Sequence, residues 1–248
     1  NSIGSLKGAI DIGVDIVEID LQMTKDNKIV VFHDSNLERM TNGNGKLSDL
    51  TYQELLELNL KNGLNHKTNY KIPLFEDYLK MAKDKVILDL DIKTGMPFQE
   101  VGQLLEKYNM FDQVIVRSYR NYDDARNYYG SYLESLNYFP GIRKKNIKNP
   151  QKYIRTFEKH INPIAYVPSF KEFDADFQEI FKIISNNEDK IWIHTIIDDS
   201  RSGGHWDDNS LTDIETNYGW IIENNIRFVQ TDRPRLLINY LRNKNLHD

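Results

Sequence analysis

Short apolar runs alternate with longer stretches of helical periodicity along most of the chain. Runs of this length, bounded by polar turns, indicate buried strands. Strands are predicted at 16–22, 86–93, 113–119, 133–139, 164–170, 190–196 and 227–232. Because a helical pattern stands before most of these runs, the order is typical of βαβ units and predicts an α/β fold with a parallel sheet.

The count of strands suggests a particular architecture. A closed (β/α)8 barrel of roughly 250 residues needs eight strands, and the chain of 248 residues shows seven, with a helical pattern at 3–12 before the first of them. We therefore predict a TIM barrel whose first strand is missing or lies upstream of Asn1. Residues 1–248 are expected to form one domain.

The run at 28–34 follows the first predicted strand after a tight Lys-Asp-Asn turn. Such a short connection suits a hairpin, because a parallel crossover needs a much longer one. The following segment, residues 35–71, is rich in Asn, Gly, Lys and Thr and contains one helical pattern, TYQELLEL. We interpret it as an insertion after the second barrel strand, on the face where active sites of such barrels lie.

Composition narrows the classes of function. The net charge of −5 and the pI near 5.7 leave no basic surplus for a phosphate polymer, which argues against nucleic-acid binding. The absence of cysteine excludes disulfides and thiolate metal sites. No apolar run approaches the about 18 residues of a membrane span, so no transmembrane segment is expected. None of these features bears on oligomeric state.

Acidic side chains are concentrated on one face of two predicted strands. Alternation along a strand gives the first strand a face with Glu18, Asp20 and Gln22, and the second a face with Asp89, Asp91 and Lys93. Carboxylates that face one another away from water are unfavourable unless a cation compensates them. Because all candidate ligands are oxygens, Mg²⁺ or Ca²⁺ is favoured over Zn²⁺. The alternative is an exposed acidic face of a half-buried sheet.

Several other polar residues stand at predicted strand ends. His33 ends the hairpin strand beside Asp34, and a histidine near neutrality can protonate a leaving alkoxide; its alternative role is structural. Arg117 could hold a phosphate oxygen or pair with a carboxylate. Trp192 and His194 share one strand face, where Trp192 could stack on a substrate or pack in the core.

A loop at 202–208, with the sequence SGGHWDD, contains a further histidine. His205 could belong to a lid over the site or stand in a solvated loop. Gln230 and Asp232 share a face of the last predicted strand. These residues are polar groups at the expected active-site edge, with no role assigned from the pattern alone.

An ordered series of motifs, most of them in the first half of the chain, resembles the glycerophosphodiester phosphodiesterase family, whose fold is a phosphatidylinositol-phosphodiesterase-like TIM barrel. The matching elements are Glu18-x-Asp20, Thr-Lys-Asp at 24–26, His33-Asp34, Leu-x-Arg at 37–39, Thr-Asn-Gly at 41–43, the helix lead-in KIPLFEDYLK and the terminal VQTDRPRLLINYL. The resemblance covers most of the chain, and the first ~95 residues are its specific part.

The resemblance implies one bound divalent cation, Mg²⁺ or Ca²⁺, held by Glu18, Asp20 and Asp91. The family usually has Glu-x-Lys where this chain reads Asp91-Ile92-Lys93, so the third ligand is one methylene shorter. Lys93 corresponds to the family lysine near the phosphate, and His33 to the general acid. The implied substrate is a small phosphodiester, cleaved to sn-glycerol 3-phosphate and an alcohol.

The chain departs from the family at its start, where a His-Arg-Gly strand and a Pro-Glu-Asn turn are expected. Asn1-Ser2 resembles the end of that turn, and the His-Arg pair is absent. One alternative is therefore a non-catalytic barrel that binds a phosphodiester or glycan. Another is a phospholipase D-like enzyme acting on lipid, although such relatives usually carry disulfides. Many relatives are exported, which favours an extracytoplasmic location.

Overall fold

The structure, a computed structural model, describes residues 1–144, 149–196 and 201–248. Strands and helices alternate along the chain, so the fold is α/β as the sequence predicts. The chain divides into two compact units, Asn1–Val116 and Arg117–Asp248.

The first unit is built on β1 (Ile16–Met23), β2 (Ile29–Val31), β3 (Ile87–Ile92) and the start of β4 (Val114–Ser118). Strand β2 runs antiparallel to β1, as expected for a hairpin, whereas β3 pairs parallel to β1 on its other side and to β4. The helices of this unit are α1 (Ile3–Ile12), α2 (Tyr52–Leu55), α3 (Phe75–Ala82) and α4 (Phe98–Tyr108).

The second unit contains β5 (Asn137–Ile142), β6 (Ala165–Pro168), β7 (Lys190–His194) and β8 (Phe228–Gln230), which pair in parallel in that order. Its helices are α5 (Tyr122–Tyr129), α6 (Pro150–His160), α7 (Ala175–Asn186), α8 (Trp220–Glu223) and α9 (Pro234–Asn243). No helix in the described ranges is both long enough and apolar enough to span a bilayer.

Two predicted elements differ from the structure. The strand expected at 133–139 begins only at Asn137, because Gly130–Glu134 forms a 3-10 helix that buries Leu133. The helical pattern at 211–225, before the last predicted strand, forms a π-helix at Glu215–Gly219 followed by α8. There the Asn217 side chain donates to the carbonyl of Asp213 at 2.7 Å, and such local bonds compete with the regular helical ladder.

Side-chain caps fix where several helices begin. Ser2 and Thr51 form capping boxes at the starts of α1 and α2, with a hydroxyl accepting from the third backbone N–H of each helix. Asn121, Asn149 and Asp174 cap α5, α6 and α7 in the same way through one oxygen. Each cap satisfies backbone donors that the helix itself leaves unpaired, so the helix starts are defined by local sequence.

Residues 35–71 are not a bare loop, because they form a small apolar cluster together with residues on either side of the segment. Its buried members are Val30, Phe32, Leu37, Leu47, Leu55, Leu60 and Ile72. Thr41, also buried, donates its hydroxyl to the carbonyl of Leu37 at 2.8 Å. This cluster gives the segment between β2 and α3 a defined conformation beside the His33-Asp34 pair.

Truncation of Leu47 tests this cluster. The side chain is fully buried, so Leu47→Ala is expected to lower the free energy of unfolding by about 2–5 kcal/mol in urea titration. Leu64, which is 76% exposed in the same segment, provides the control, and Leu64→Ala should change the value by less than about 0.5 kcal/mol. Equal losses in the two variants would contradict a packed cluster.

Candidate active site

The register of β1 and β3 brings acidic residues side by side. In this parallel pair Glu18 lies opposite Asp89 and Asp20 opposite Asp91. The intervening residues Ile19 and Leu90 are buried on the other face. Because side chains alternate along each strand, pairing in this register concentrates carboxylates on one face of the sheet.

Three of these carboxylates form a compact group. Glu18, Asp20 and Asp91 each present an oxygen, and these oxygens all lie within 4.8 Å of one another. Asp20 is buried, Glu18 is half-buried and Asp91 is exposed. Three oxygen donors at this separation are a donor set that suits a hard divalent cation. The assignment of these residues as metal ligands stays a prediction.

Lys93 lies between two of the carboxylates. Its ammonium contacts Asp20 Oδ1 and lies 2.7 Å from Asp91 Oδ2. Burial lowers the pKa of Lys93, but the hydrogen bonds to Asp20 and Asp91 outweigh this effect, so the pKa is raised. The ammonium therefore remains charged. Three carboxylates and one ammonium leave two negative charges, which a divalent cation would neutralise.

Asn1 holds the central carboxylate in place. Its side-chain amide donates from Nδ2 to Asp20 Oδ2 at 2.6 Å and accepts from the backbone N–H of Asp20 at 3.2 Å. The pair fixes the orientation of the Asp20 side chain with respect to its own backbone. Sequence reasoning missed this contact, because no local periodicity connects residues so far apart in the chain.

Gln22 fixes the backbone on both sides of His33. The Nε2 atom donates to the carbonyl of Phe32 at 2.9 Å and to that of Asp34 at 2.6 Å. This role was not predicted from the sequence, although strand alternation places Gln22 on the same face as Asp20. The alternation of β1 therefore indicated that Gln22 lies at the site, but not which groups it binds.

The His33 ring is oriented by an ion pair. Nδ1 lies 2.6 Å from Asp34 Oδ1, and Arg39 donates from Nε to Asp34 Oδ2 at 2.6 Å. The Arg39 hydrogen bond is the main cause that lowers the pKa of Asp34 to about 2, and His33 adds to it. An ionised Asp34 favours a proton on Nδ1, which leaves Nε2 directed away from the pair. The side chain of His33 is 56% exposed and so can reach a ligand.

The second unit contains the other three predicted site residues together. The Arg117 guanidinium lies 4.8 Å above the Trp192 ring, and its Nη1 is 3.1 Å from His194 Nε2. Trp192 and His194 are 3% and 2% exposed. The indole of Trp192 stacks on Phe228 with ring centroids 5.6 Å apart. Trp192 and His194 therefore pack inside the unit and contact the Arg117 guanidinium.

His194 is neutral in this environment. Burial is the main cause that lowers its pKa well below the usual value, and the Arg117 charge adds to it. Nδ1 lies 2.6 Å from Gln230 Oε1, which favours the tautomer with its proton on Nδ1. The uncharged Nε2 is then an acceptor for Arg117. Gln230 thus has a supporting role that strand alternation alone did not assign.

Two further polar groups of the second unit have structural partners. His205 stacks on Trp220 with ring centroids 4.1 Å apart, and its Nδ1 lies 3.1 Å from the carbonyl of Thr216. Asp207, which is buried, accepts hydrogen bonds from the Thr195 hydroxyl at 2.7 Å and from the backbone N–H of Asp232 at 2.7 Å. The lid role considered for His205 stays a prediction.

Two family models match the sequence. One, described as the glycerophosphoryl diester phosphodiesterase family, matches residues 1–159. A second, described as a domain of unknown function, matches residues 138–241. The first match includes Glu18, Asp20, His33, Asp91 and Lys93, whereas Trp192 and His194 fall under the second.

Individual proteins that are similar to this chain carry the same family name. A glycerophosphodiester phosphodiesterase of Caldanaerobacter subterraneus is 30% identical over 129 residues, 49% of this chain and 53% of its own length. The chain thus spans about half of that curated relative. A glycerophosphoryl diester phosphodiesterase of Parabacteroides distasonis has a similar structure, with a TM-score of 0.78, 25% identity, and coverage of 98% of this chain and 81% of the other.

A third comparison contains a bound product. The structure of an Oleispira antarctica phosphodiesterase in complex with sn-glycerol-3-phosphate superposes with a TM-score of 0.69 at 18% identity. The superposition covers 98% of this chain and 91% of the other. At this identity the likeness establishes a shared fold.

The ion pair beside His33 should be visible in the pH dependence of stability. Because the pKa of Asp34 falls from 3.8 to about 2 on folding, its ionised form stabilises the protein above pH 3.8, and this contribution is lost as the pH falls to about 2. Urea titrations of wild type and Asp34→Asn should therefore converge over this interval. The exposed Asp11 gives the control variant Asp11→Asn, and a constant gap between wild type and Asp34→Asn would contradict the assignment.

Proposed function

Because the chain belongs to the glycerophosphoryl diester phosphodiesterase family, we propose that it hydrolyses glycerophosphodiesters to sn-glycerol 3-phosphate and an alcohol. One observation carries the proposal: carboxylate oxygens of Glu18, Asp20 and Asp91 lie within 4.8 Å of one another. All three lie within the residues matched by the family. The product complex of a structural neighbour supports the same class of small-molecule substrate.

The acidic group is proposed to hold one divalent cation, Mg²⁺ or Ca²⁺. The donor set fits, because three carboxylate oxygens and no sulfur or nitrogen ligand favour a hard ion. When bound, such a cation lowers the pKa of a substrate hydroxyl and offsets negative charge on the phosphoryl oxygens. Asn1 and Lys93 orient Asp20 for this role through the contacts described above.

His33 is the proposed general acid. Asp34 holds its Nδ1 at 2.6 Å, and the protonated ring donates from Nε2 to the leaving alcohol oxygen as the neighbouring glycerol hydroxyl attacks phosphorus and releases its own proton to solvent. The cyclic phosphate formed in this way is then opened by water. In that second step His33 takes up a proton from the attacking water, and solvent returns one to the glycerol oxygen that leaves phosphorus, which restores the starting protonation state.

Lys93 and Arg117 are the proposed sources of positive charge for the phosphoryl oxygens. Lys93 projects from the end of β3 beside the carboxylates, where its charge would stabilise the transition state. Arg117 is proposed to contact substrate, with Trp192 and His194 as the surfaces that hold its guanidinium. Trp192 and His194, which are buried, would thus contribute to substrate binding by positioning Arg117.

We propose that residues 1–248 act as one TIM-barrel domain and that residues 35–71 are an insertion after the strand that carries Glu18 and Asp20. The fold likeness over 98% of the chain supports the first statement. The apolar cluster that the segment forms with Val30, Phe32 and Ile72 supports the second.

Substitution of one predicted ligand tests the metal dependence. Asp91→Asn should weaken Mg²⁺ and Ca²⁺ binding by about tenfold or more in calorimetry, because a carboxylate charge is lost from the donor set. Hydrolysis of a panel of glycerophosphodiesters should stop in this variant and in chelator-treated wild type, with circular dichroism unchanged. Asp11→Asn, at an exposed carboxylate paired with Lys7, should behave as wild type. Undiminished metal affinity in Asp91→Asn would remove Asp91 from the site.

The role of His33 is tested by varying the leaving group. His33→Ala should slow cleavage of a glycerophosphodiester with an alkyl alcohol by about 10²–10⁴-fold, because a poor leaving group needs a proton. A nitrophenyl phosphodiester, whose leaving group needs none, should lose little. His66→Ala, at an exposed histidine of the same unit, serves as the control. Equal losses for both substrates would contradict the general-acid assignment.

A further inference from the structure

A polar cavity is lined entirely by residues of the second unit. It has a volume of about 560 Å³ and opens where the parallel strands β5 and β6 end. Its walls include Arg143, Ser169, Phe170, Lys171 and Arg201, and we call it the arginine pocket. The carboxyl ends of parallel strands are where α/β proteins bind small ligands, and a cavity of this size is typical of such sites.

Arg143 is held firmly at the edge of the pocket. It directly follows β5, whose Ile142 pairs with Pro168 and accepts a hydrogen bond from Ser169 N–H at 2.9 Å. The guanidinium lies 3.7 Å above the Tyr119 ring. Gly141 allows this ring to approach, since a Cβ there would come within 2.4 Å of Tyr119. The guanidinium is therefore preorganised by its stacking on an aromatic face.

Arg201, which also lines the pocket, is anchored through its backbone. Its carbonyl accepts from Phe170 N–H at 3.4 Å, and Gly203 N–H donates back to the carbonyl of Phe170 at 3.1 Å. Gly203 has a φ of +63°, a left-handed conformation that favours glycine. Ser202 between them is fully buried. The segment that carries Arg201 is thus fixed against the residue that forms the apolar wall of the pocket.

Among the residues that the structure describes, cationic side chains outnumber acidic ones in the lining of the pocket. Four cationic side chains line it against two acidic ones, Glu172 and Asp174. Asp174 is already paired with Lys144 at 2.8 Å, and Lys144 also binds Asp176. In the part of the chain that the structure describes, neither Arg143 nor Arg201 forms an ion pair with a carboxylate.

The two guanidiniums also act on the same buried group. Both add to the effects, led by burial, that lower the pKa of His194, and both side chains are themselves half-buried. Partly buried like charges on the lining of one pocket are unfavourable unless an anion compensates them. A bound anion would relieve this cost and would find N–H donors from two guanidiniums and a hydroxyl at Ser169.

We propose that the arginine pocket binds an oxyanion carried on a small polyol or sugar, with a phosphate monoester as its best match. The two guanidiniums provide forked donors that suit a tetrahedral or planar oxyanion. The remaining volume accommodates the organic part, and the Phe170 ring offers it an apolar surface. This site is distinct in its residues from the carboxylate group of the first unit and does not depend on hydrolysis.

Calorimetry with ribose 5-phosphate tests the pocket in the full chain with Mg²⁺ present. Wild type should bind it, and the Kd should rise about tenfold or more in Arg143→Gln and in Arg201→Gln. Arg155→Gln, which removes a charge from α6 of the same unit, should leave the Kd unchanged, and ribose should not bind. Absence of binding to wild type, or equal Kd values in all three variants, would overturn the proposal.

A conservative variant and a folding control complete the binding experiment. Arg143→Lys keeps the charge but loses the fork, so it should bind more weakly than wild type and more tightly than Arg143→Gln. If circular dichroism shows that loss of the Tyr119 stacking unfolds Arg143→Gln, the comparison of Arg201→Gln with Arg155→Gln decides the question, because Arg201 is anchored through its backbone.

A kinetic comparison shows whether the anion is part of the substrate or of a separate ligand. This experiment, unlike the binding experiments, rests on the proposed hydrolysis. If the anion belongs to the substrate, Arg201→Gln should raise KM for a glycerophosphodiester whose alcohol carries a phosphate monoester and spare glycerophosphoglycerol. If it is a separate ligand, ribose 5-phosphate should change the turnover of glycerophosphoglycerol in wild type and not in Arg201→Gln. Failure of wild type to hydrolyse either diester would refute the hydrolysis proposal, while the binding comparison would still decide the pocket.

Discussion

Electrostatic repulsion among three neighbouring carboxylates is the interaction on which the proposed site in the first unit depends. Parallel pairing of β1 with β3 sets Asp20 opposite Asp91, and Glu18 presents an oxygen to the same group. Asp20 is buried, so water cannot screen its charge fully. The ammonium of Lys93 compensates one charge, and two remain. Because two negative charges remain uncompensated, a doubly charged cation would stabilise the site more than a singly charged one.

The surroundings of His33 show how a loop can hold a reactive group in a fixed position. Gln22, on the same strand as two of the carboxylates, binds the carbonyls on either side of the histidine, and Asp34 orients the ring. The apolar cluster of residues 35–71 stabilises the segment from which Arg39 reaches Asp34. Functional residues on loops generally depend on such rigid support, and in this chain both the strand and the cluster supply it.

Strand alternation was sufficient to predict the acidic face, because a period of two is a local property of the sequence. The hairpin of β1 and β2 followed from its short turn for the same reason. The contacts of Asn1 with Asp20, and of Arg143 with Tyr119, could not be predicted in this way, since they join distant parts of the chain. The late start of β5 was missed because Leu133 and Leu136 fit a strand and a 3-10 turn equally well.

The central claim is that Glu18, Asp20 and Asp91 share one divalent cation, and anomalous X-ray scattering from crystals grown with Mn²⁺ tests it most directly. The account predicts a single strong peak within about 2.0–2.6 Å of one oxygen from each of the three side chains, with the Lys93 ammonium moved out of the gap between Asp20 and Asp91. A map without a peak there, with Lys93 still bound to both carboxylates, would contradict it.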